Sequence, residues 1–233
     1  CVSYDPAYAF ELAVIIQDGM HRMYELGENR FYYITTMNEN YVQPEMPVGV
    51  EENIIKGMYC LKRSTQKNMT QVQLLGGGTI LREVEAAAEI LEKDYDIAAD
   101  IWSLTSVNEL HREGKAALRW NMLHPESEPK VPFVTRELQR QSGPFIAATD
   151  YMKSYADQLR EFVPGRFTVL GTDGFGRSDT REKLRKFFEV SREYIVIATL
   201  KSLADEGTIS SAVVVDAMRA LGVSADKVDP SKS

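Results

Sequence analysis

The sequence lacks the features that mark several classes of protein. It contains two cysteines among 233 residues, Cys1 and Cys60, and neither stands in a CxxC or Cys/His spacing. This argues against a zinc site and gives no reason to expect a disulfide. The 34 acidic residues outnumber the 27 lysines and arginines, for a net charge of -7, so the basic surface that binds a phosphate backbone is missing. The sequence therefore predicts no nucleic-acid partner.

Long apolar runs are also missing. The apolar runs reach about five residues at most, and the run at 212–215 has four, whereas a helix that spans a bilayer needs roughly 20 residues. No basic segment followed by an apolar one opens the chain, so the sequence predicts a cytoplasmic protein without a membrane partner. The first residue is Cys1 and not Met, which predicts that the chain starts inside a larger protein.

The hydrophobic content is high enough for one large core or two smaller ones. With 44% hydrophobic residues, a chain of this length buries about 70% of the surface that it exposes when unfolded. The question is therefore how its helices and strands are arranged.

The sequence pattern of residues 1–45 predicts a helix and a strand at the end of an α/β domain. Asp5 and Pro6 are typical of a helix start, with a carboxylate N-cap and proline at the first helical position, and apolar residues at helical spacing extend the helix to Leu26. A strand is predicted over 30–36. From 38 to 53 the periodicity disappears, which predicts a linker. The predicted domains are 1–45 and 46–233.

In the second predicted domain, the sequence predicts strands that alternate with helices. This alternation is typical of an α/β fold whose mostly parallel sheet is covered by helices on both faces. The predicted strands are 57–62, 69–75, 100–105, 145–148 and 167–170, and the predicted helices are 79–95, 107–122, 151–162, 181–188, 191–206 and 210–221.

A loop with three glycines, an arginine and two aspartates, residues 171–180 (the glycine loop), separates the last strand from the helices that follow. With the start of the next helix it reads GTDGFGRSDTREKLRKFF, and two further segments accompany it: YYITTMNENY at 32–41 and RWNMLHP at 119–125. Together these segments resemble the homodimeric pyruvate dehydrogenase components of bacterial pyruvate dehydrogenase complexes. The resemblance runs over nearly the whole chain but covers only the C-terminal part of that longer enzyme.

The resemblance implies an architecture and a parent activity. Residues 1–45 would be the end of a pyrimidine-binding-type α/β domain, and 46–233 a transketolase C-terminal-type three-layer domain with a mostly parallel sheet. The whole enzyme would use thiamine diphosphate and Mg²⁺ to decarboxylate pyruvate, and it would transfer the acetyl group to lipoyl. Its partners would be a second subunit in a homodimer and the dihydrolipoyl acetyltransferase core.

The cofactor machinery of the family is missing from this sequence. The family holds its Mg²⁺ through oxygen ligands in Gly-Asp-Gly and a later Asn, and no Gly-Asp-Gly occurs here. The family's active-site histidine and its pyrimidine-binding glutamate would both precede Cys1. His21, His111 and His124 favour solvent or structural roles. We therefore expect no catalytic, cofactor-binding or metal-binding residue, and a scaffolding and dimer-interface role for a fragment that is inactive alone.

Polar residues that follow the strand at 30–36 are candidates for the edge of a substrate channel or an interface. They are Asn38, Glu39 and Asn40. In the related transketolases an arginine that binds a sugar phosphate matches Asn38, so an asparagine suits pyruvate, which has no phosphate. The alternative is that these residues only end the strand.

The glycine loop supplies the other candidates, Asp173, Arg177 and Asp179, because ligand clefts in open α/β sheets lie outside the C-terminal ends of the strands. A structural alternative accounts for the same residues. Ser178 or Asp179 would cap the next helix, and Arg177 would pair with Asp173 or Asp179.

The glycines have structural and functional interpretations as well. Gly174 and Gly176 would take positive φ. Gly76–Gly78 lies between a strand and a helix, where backbone N–H groups can hold a phosphate. The segment lacks the lysine of a Walker loop and the spacing of a dinucleotide motif, which favours a tight turn.

Two other functions stay open. The chain would belong to a transketolase or a 2-oxoglutarate dehydrogenase component if basic residues near Asn38 received a phosphate or a second carboxylate, and residues 37–40 contain none. It would otherwise be a noncatalytic module that binds a peptide or the acetyltransferase.

Overall fold

The computed structural model describes residues 1–66 and 68–232, which form strands and α-helices joined by short 3-10 and π turns. The strands are β1 Val2–Tyr4, β2 Tyr32–Ile34, β3 Met58–Lys62, β4 Thr70–Gly77, β5 Ile97–Leu104, β6 Phe145–Ala148 and β7 Phe167–Leu170. The helices are α1 Ala9–Met20, α2 Glu51–Lys56, α3 Leu81–Tyr95, α4 Val107–Leu123, α5 Phe133–Leu138, α6 Lys153–Asp157, α7 Arg181–Phe187, α8 Arg192–Asp205 and α9 Ser211–Ala220.

Five strands form the main sheet, in the order β3-β5-β4-β6-β7. Strands β4 to β7 are parallel, and β3 is antiparallel at one edge. All residues of β5 are buried, as expected for a strand of a parallel sheet with both faces covered. The predicted α/β class with a mostly parallel sheet is confirmed.

A hydrophobic core lies on each face of this sheet, because successive residues of a strand point to opposite faces. Leu74 of β4 packs into the core that includes α3, α8 and α9. The next residue, Leu75, packs into the other core, with Phe133 of α5 and residues of α4 and α6. The sheet and its two helical covers form three layers. Within the described residues, no helix is long and apolar enough to cross a bilayer.

The segment from β1 to β2 forms a small unit that packs against the main sheet. Strands β1 and β2 are parallel to each other, and a third core joins Val2, Tyr4 and Ile15 of this unit to Ile54 of α2 and Tyr59 of β3.

Two buried carboxylates of this unit bind hydroxyl groups of the rest of the chain. Asp5 accepts hydrogen bonds from the hydroxyls of Tyr151 at 2.7 Å and Tyr155 at 2.8 Å. Glu11 accepts from those of Tyr59 and Ser103, each at 2.6 Å. Because a buried carboxylate requires such partners, these contacts fix how the unit sits on the sheet.

The predicted helix start at Asp5 is wrong. Helix α1 begins at Ala9, and Asp5 also accepts from the Thr35 hydroxyl at 2.8 Å in place of capping a helix. The side chain of Glu11 reaches back instead and accepts from the amides of Ala7 at 2.5 Å and Tyr8 at 3.1 Å. The predicted single helix also changes after Met20 into a π turn.

A helix that the sequence did not reveal begins in the region predicted as a linker. Helix α2 spans Glu51–Lys56, and Gly57, with φ of 113°, caps its C-terminus. Strand β1 and helix α5 were also missed, and the helix predicted over 151–162 is α6 followed by turns. The boundary at residue 45 stays a prediction.

Candidate functional site

A cleft of about 400 Å³ opens at the C-terminal ends of the parallel strands β4, β6 and β7. In an α/β sheet this edge is where ligand clefts form, because the loops that follow the strands converge there. We call it the arginine cleft. It is lined by Met37, Asn38, Glu39, Thr79, Ile80, Asp150, Thr172, Gly174, Gly176, Arg177, Arg181, Leu184, Arg185, Phe188 and Val190.

Glu39 lies among three arginines at one side of the cleft. Its Oε1 is 2.8 Å from Nη1 of Arg82, and its Oε2 is 3.2 Å from Nη2 of Arg185 and 3.7 Å from Nε of Arg181. Burial alone would raise the pKa of the Glu39 carboxyl, but the hydrogen bonds and charges of Arg82 and Arg185 outweigh burial and hold the pKa below its usual range. Glu39 is therefore ionised at neutral pH.

A second carboxylate fixes the other side of Arg185. Nη1 of Arg185 is 3.1 Å from Oε1 of the buried Glu83, whose Oε2 also accepts from Nε of Arg192 at 2.9 Å. Burial favours a raised pKa for Glu83, but its bonds to Arg192 and the charge of Arg185 lower it. The guanidinium of Arg185 thus bridges two carboxylates and has little freedom to move.

The predicted polar segment after β2 only partly reaches the cleft. Asn38 lines it and accepts a hydrogen bond from Nη2 of Arg181 at 2.6 Å. Glu39 lines it too, whereas Asn40 is exposed and is not among the lining residues. The structure therefore joins two of the three predicted residues to helix α7, 143 residues away from Asn38 along the chain.

Of the three predicted residues of the glycine loop, Arg177 lines the cleft and the two aspartates do not. The guanidinium of Arg177 lies 4.5 Å from the centre of the Phe187 ring. Asp173 and Asp179 form ion pairs with Lys153 at 3.8 Å and Lys183 at 3.5 Å. Both aspartates therefore have a lysine partner.

Two structural expectations for the loop are corrected. The residue that caps α7 is Thr180, whose hydroxyl accepts from the amide of Lys183 at 3.4 Å, and not Ser178 or Asp179. Gly174 has φ of 112°, as predicted, but Gly176 does not have a positive φ.

The triglycine segment forms a structural turn beside the cleft. Gly76 and Gly77 end β4, and Gly78, with φ of 53°, starts the 3-10 turn that precedes α3. A Cβ at Gly76 would lie 2.7 Å from the backbone of Leu81. Close packing of strand and helix accounts for Gly76, and the turn accounts for Gly78.

Sequence reasoning missed several polar residues of the site. Arg181 and Arg185 lie four residues apart on α7 and therefore on one face, which is a usable signal after a glycine loop. Thr79 and Asp150 follow strands β4 and β6, so the rule for parallel strand ends could have found them. Loss of water around the Asp150 carboxyl raises its pKa, although the side chain still meets solvent in the cleft.

The donors of the site do not fit a divalent ion held against a diphosphate. Such an ion needs several oxygen ligands, and in the part of the chain that the structure describes no three His, Cys, Asp or Glu side chains come together to supply them. Glu39 is already bound by arginines. The histidines contact neighbours in their own surroundings, as in His111 Nδ1 at 3.1 Å from the Gln158 carbonyl.

Two family models match different parts of the chain. The model of the pyruvate dehydrogenase E1 component middle domain matches residues 1–44, and that of the transketolase-like TK C-terminal domain matches residues 57–191. The curated relatives include the pyruvate dehydrogenase E1 components of Pseudomonas aeruginosa, 55% identical over 231 residues, and of Escherichia coli K12, 53% identical over 232 residues. In both cases 99% of this chain is covered but only 26% of the relative, so the chain spans about a quarter of their length.

The solved structures that superpose on this chain include transketolases. A transketolase from Campylobacter jejuni superposes with a TM-score of 0.58 at 19% identity, covering 86% of this chain and 26% of that one. The split gene transketolase described as an inactive beta4 tetramer gives 0.52 at 17% identity, covering 87% and 56%. The chain therefore belongs to the transketolase-like C-terminal domain family, in the form found in pyruvate dehydrogenase E1 components.

Proposed function

We propose that the chain is the C-terminal part of a cytoplasmic, thiamine diphosphate-dependent pyruvate dehydrogenase that decarboxylates pyruvate and transfers the acetyl group to lipoyl. The observation that carries this proposal is that at least half of the residues, over nearly the whole chain, are identical to those of E1 components. The parent enzyme would hold thiamine diphosphate and Mg²⁺ through residues outside this chain.

The chain itself would act as a scaffold with two domains, 1–45 and 46–233. Support comes from Asp5, Glu11 and Glu39, three carboxylates of the first domain that bind groups of the second. Each is at least partly buried, so separating the domains would leave charges without partners. The scaffold would hold the end of β2, and with it Asn38, at the edge of the substrate channel.

The first domain would also contact a second copy of the enzyme in a homodimer. Its outer surface has exposed aromatic side chains, Tyr24 at 81%, Phe31 at 64% and Tyr33 at 63% exposure. Exposed apolar surface of this kind favours a protein contact.

A dihydrolipoyl acetyltransferase core would be the partner at the glycine loop. Phe175 at its tip is 81% exposed, between the charged residues Asp173 and Arg177. A pull-down with the acetyltransferase tests this contact, and loss of binding in Arg177→Ala/Asp179→Ala would support it. Retention of full binding by that variant would argue against it.

A second thiamine enzyme remains a candidate because of the arginines around Glu39. Residues 37–40 contain no basic residue, but Arg181 and Arg185 of α7 reach them. A transketolase or a 2-oxoglutarate dehydrogenase component would use such cations for a phosphate or a second carboxylate. The identity to pyruvate dehydrogenase E1 components favours pyruvate as the substrate over these alternatives.

Isothermal titration calorimetry tests the scaffold role directly. The 233-residue chain is titrated with thiamine diphosphate and Mg²⁺, and the complete Escherichia coli relative serves as the positive control. We expect no binding by the chain at concentrations that saturate the control. Micromolar binding by the chain would contradict the proposal.

A further inference from the structure

We propose that the arginine cleft binds a small organic anion with an apolar group, and that the anion replaces the Glu39 carboxylate on Arg181 and Arg185. This inference goes beyond the scaffold role, since it assigns a ligand to the cleft. The chemical class is a phosphate or carboxylate attached to a compact apolar group.

The cleft has the size and lining of a small-molecule site. Its volume of about 400 Å³ lies within the range of such pockets, which combine apolar walls with a few polar groups. The apolar wall is formed by Met37, Ile80, Leu184, Phe188 and Val190. This wall would take the apolar part of the ligand.

The charge of the cleft favours an anion. Arg177, Arg181 and Arg185 line it, against the carboxyls of Glu39 and Asp150. The Glu39 carboxylate lies on Arg181 and Arg185, so an anion that takes its place pairs with the same two guanidinium groups.

Glu39 shows that these donors suit a carboxylate-sized group. Its oxygens lie within 4 Å of Arg82, Arg181 and Arg185, and the Thr79 hydroxyl is 3.4 Å from Oε2. Arginines bind phosphates and carboxylates by the same planar arrangement of N–H groups. A ligand that brings its own anion would meet a set of donors that is already in place.

The position of Glu39 in the chain makes the exchange feasible. It belongs to residues 35–50, which contain no helix or strand, whereas Arg185 lies on α7 and is held from its other side by Glu83. Displacing Glu39 therefore moves a loop and leaves Arg185 held by Glu83. The same displacement would loosen Met37 and Asn38, so a bound anion would change the segment next to β2.

Titration calorimetry with phenyl phosphate, performed on the full 233-residue chain, tests the proposal. We expect a Kd below about 1 mM, with inorganic phosphate about tenfold weaker and phenol without measurable binding, because only phenyl phosphate supplies both groups. Equal affinity for phenyl phosphate and inorganic phosphate would overturn the role of the apolar wall.

Three variants locate the binding. Arg181→Gln should weaken phenyl phosphate binding at least about tenfold, as expected for the loss of a charge-assisted hydrogen bond. Glu39→Gln should tighten it about threefold or more, because the competing charge is removed. Lys183→Gln, on the same helix but paired with Asp179 outside the cleft, should change nothing.

Weaker binding of phenyl phosphate by Glu39→Gln would contradict the exchange of the Glu39 carboxylate for the ligand anion. Equal effects of Arg181→Gln and Lys183→Gln would contradict binding in the arginine cleft. Circular dichroism confirms the fold of each variant. Arg181 is 55% exposed, so its substitution carries the test even if Glu39→Gln unfolds. The readout needs neither thiamine diphosphate nor turnover, so its failure is distinguishable from failure of the proposed function.

Discussion

Arg185 can be buried only because two carboxylates compensate its charge. Its side chain is 12% exposed and lies between Glu39 and Glu83. Removing one partner of a buried ion pair leaves an uncompensated charge, which costs more than the pair contributes. Glu83 is the more buried of the two partners, at 6% exposure against 22% for Glu39, so the stability of the site depends on it most.

Glu83→Gln should lower the free energy of unfolding by about 3 kcal/mol at pH 7, because it removes the charge that Arg185 and Arg192 share. Urea unfolding followed by circular dichroism measures the change. The matched control is Glu182→Gln, which removes an ion pair of an exposed carboxylate with Lys186 and should cost less than about 1 kcal/mol. Equal losses in the two variants would contradict the assignment.

The same carboxyl should make stability depend on pH. Arg192 and Arg185 lower the pKa of Glu83 in the folded state below its usual value of 4.5, so the contribution is full above that value and is lost as pH falls through the folded pKa. The difference between wild type and Glu83→Gln should therefore shrink in acid. A difference that stays constant from pH 7 to pH 3 would show that charge is not the cause.

Single residues of the site were predictable only where they follow a predicted strand. Asn38, Glu39 and Arg177 were found from the ends of predicted strands, and the structure brings them to one cleft. The arginines that bind Glu39 were not found, because Arg185 is 146 residues from it. Only the three-dimensional packing of α7 brings the two together.

At the scale of helices and strands, Gly114 has a packing role that helix propensity alone does not show. Glycine in the middle of α4 lowers helix propensity, so Gly114→Ala would ordinarily stabilise the helix by about 1 kcal/mol. Here a Cβ would lie 2.5 Å from the ring of Phe162, which is 2% exposed. The ring takes the space of the missing side chain.

We therefore expect Gly114→Ala to destabilise the protein by about 1–3 kcal/mol, as overpacking does. Thermal unfolding by calorimetry measures it. Adding Phe162→Leu should recover part of the loss, because the smaller side chain makes room for the methyl group. A stabilised Gly114→Ala variant would contradict this packing.

The two domains should separate when a buried carboxylate between them is removed. Asp5→Ala leaves the hydroxyls of Thr35, Tyr151 and Tyr155 without their acceptor, at a cost of roughly 2–4 kcal/mol. Hydrogen exchange should accelerate in β1 and α1 and stay slow in β4 to β6.

Asp18→Ala is the control for that experiment, because Arg22 and Tyr32, which bind Asp18, belong to the same domain. It should leave exchange at the contact between the domains unchanged. Uniform acceleration throughout the chain in Asp5→Ala would argue for global destabilisation in place of separation.

The strength of the local signal decided which elements could be predicted. Strands β6 and β7 were predicted to the residue, because short apolar runs there are bounded by turn residues. Strand β1 has three residues, too few for a periodicity. Helix α5 was missed because its sequence FVTREL starts with aromatic and β-branched residues, which favour strands.

At the scale of the whole molecule, the chain has one continuous framework. The sheet, its two cores and the unit that packs against it are built from residues of the chain, while among the described residues no three His, Cys, Asp or Glu side chains come together as a metal site. The central claim is that this framework serves the rest of an E1 component.

A graft tests this claim most directly. The matching quarter of the Escherichia coli E1 component is replaced by this chain, and pyruvate-dependent acetyl transfer to lipoyl groups is measured. We predict a kcat within about tenfold of the intact enzyme, since tenfold corresponds to only about 1.4 kcal/mol in the barrier. A folded, cofactor-loaded graft without acetyl transfer would contradict the account.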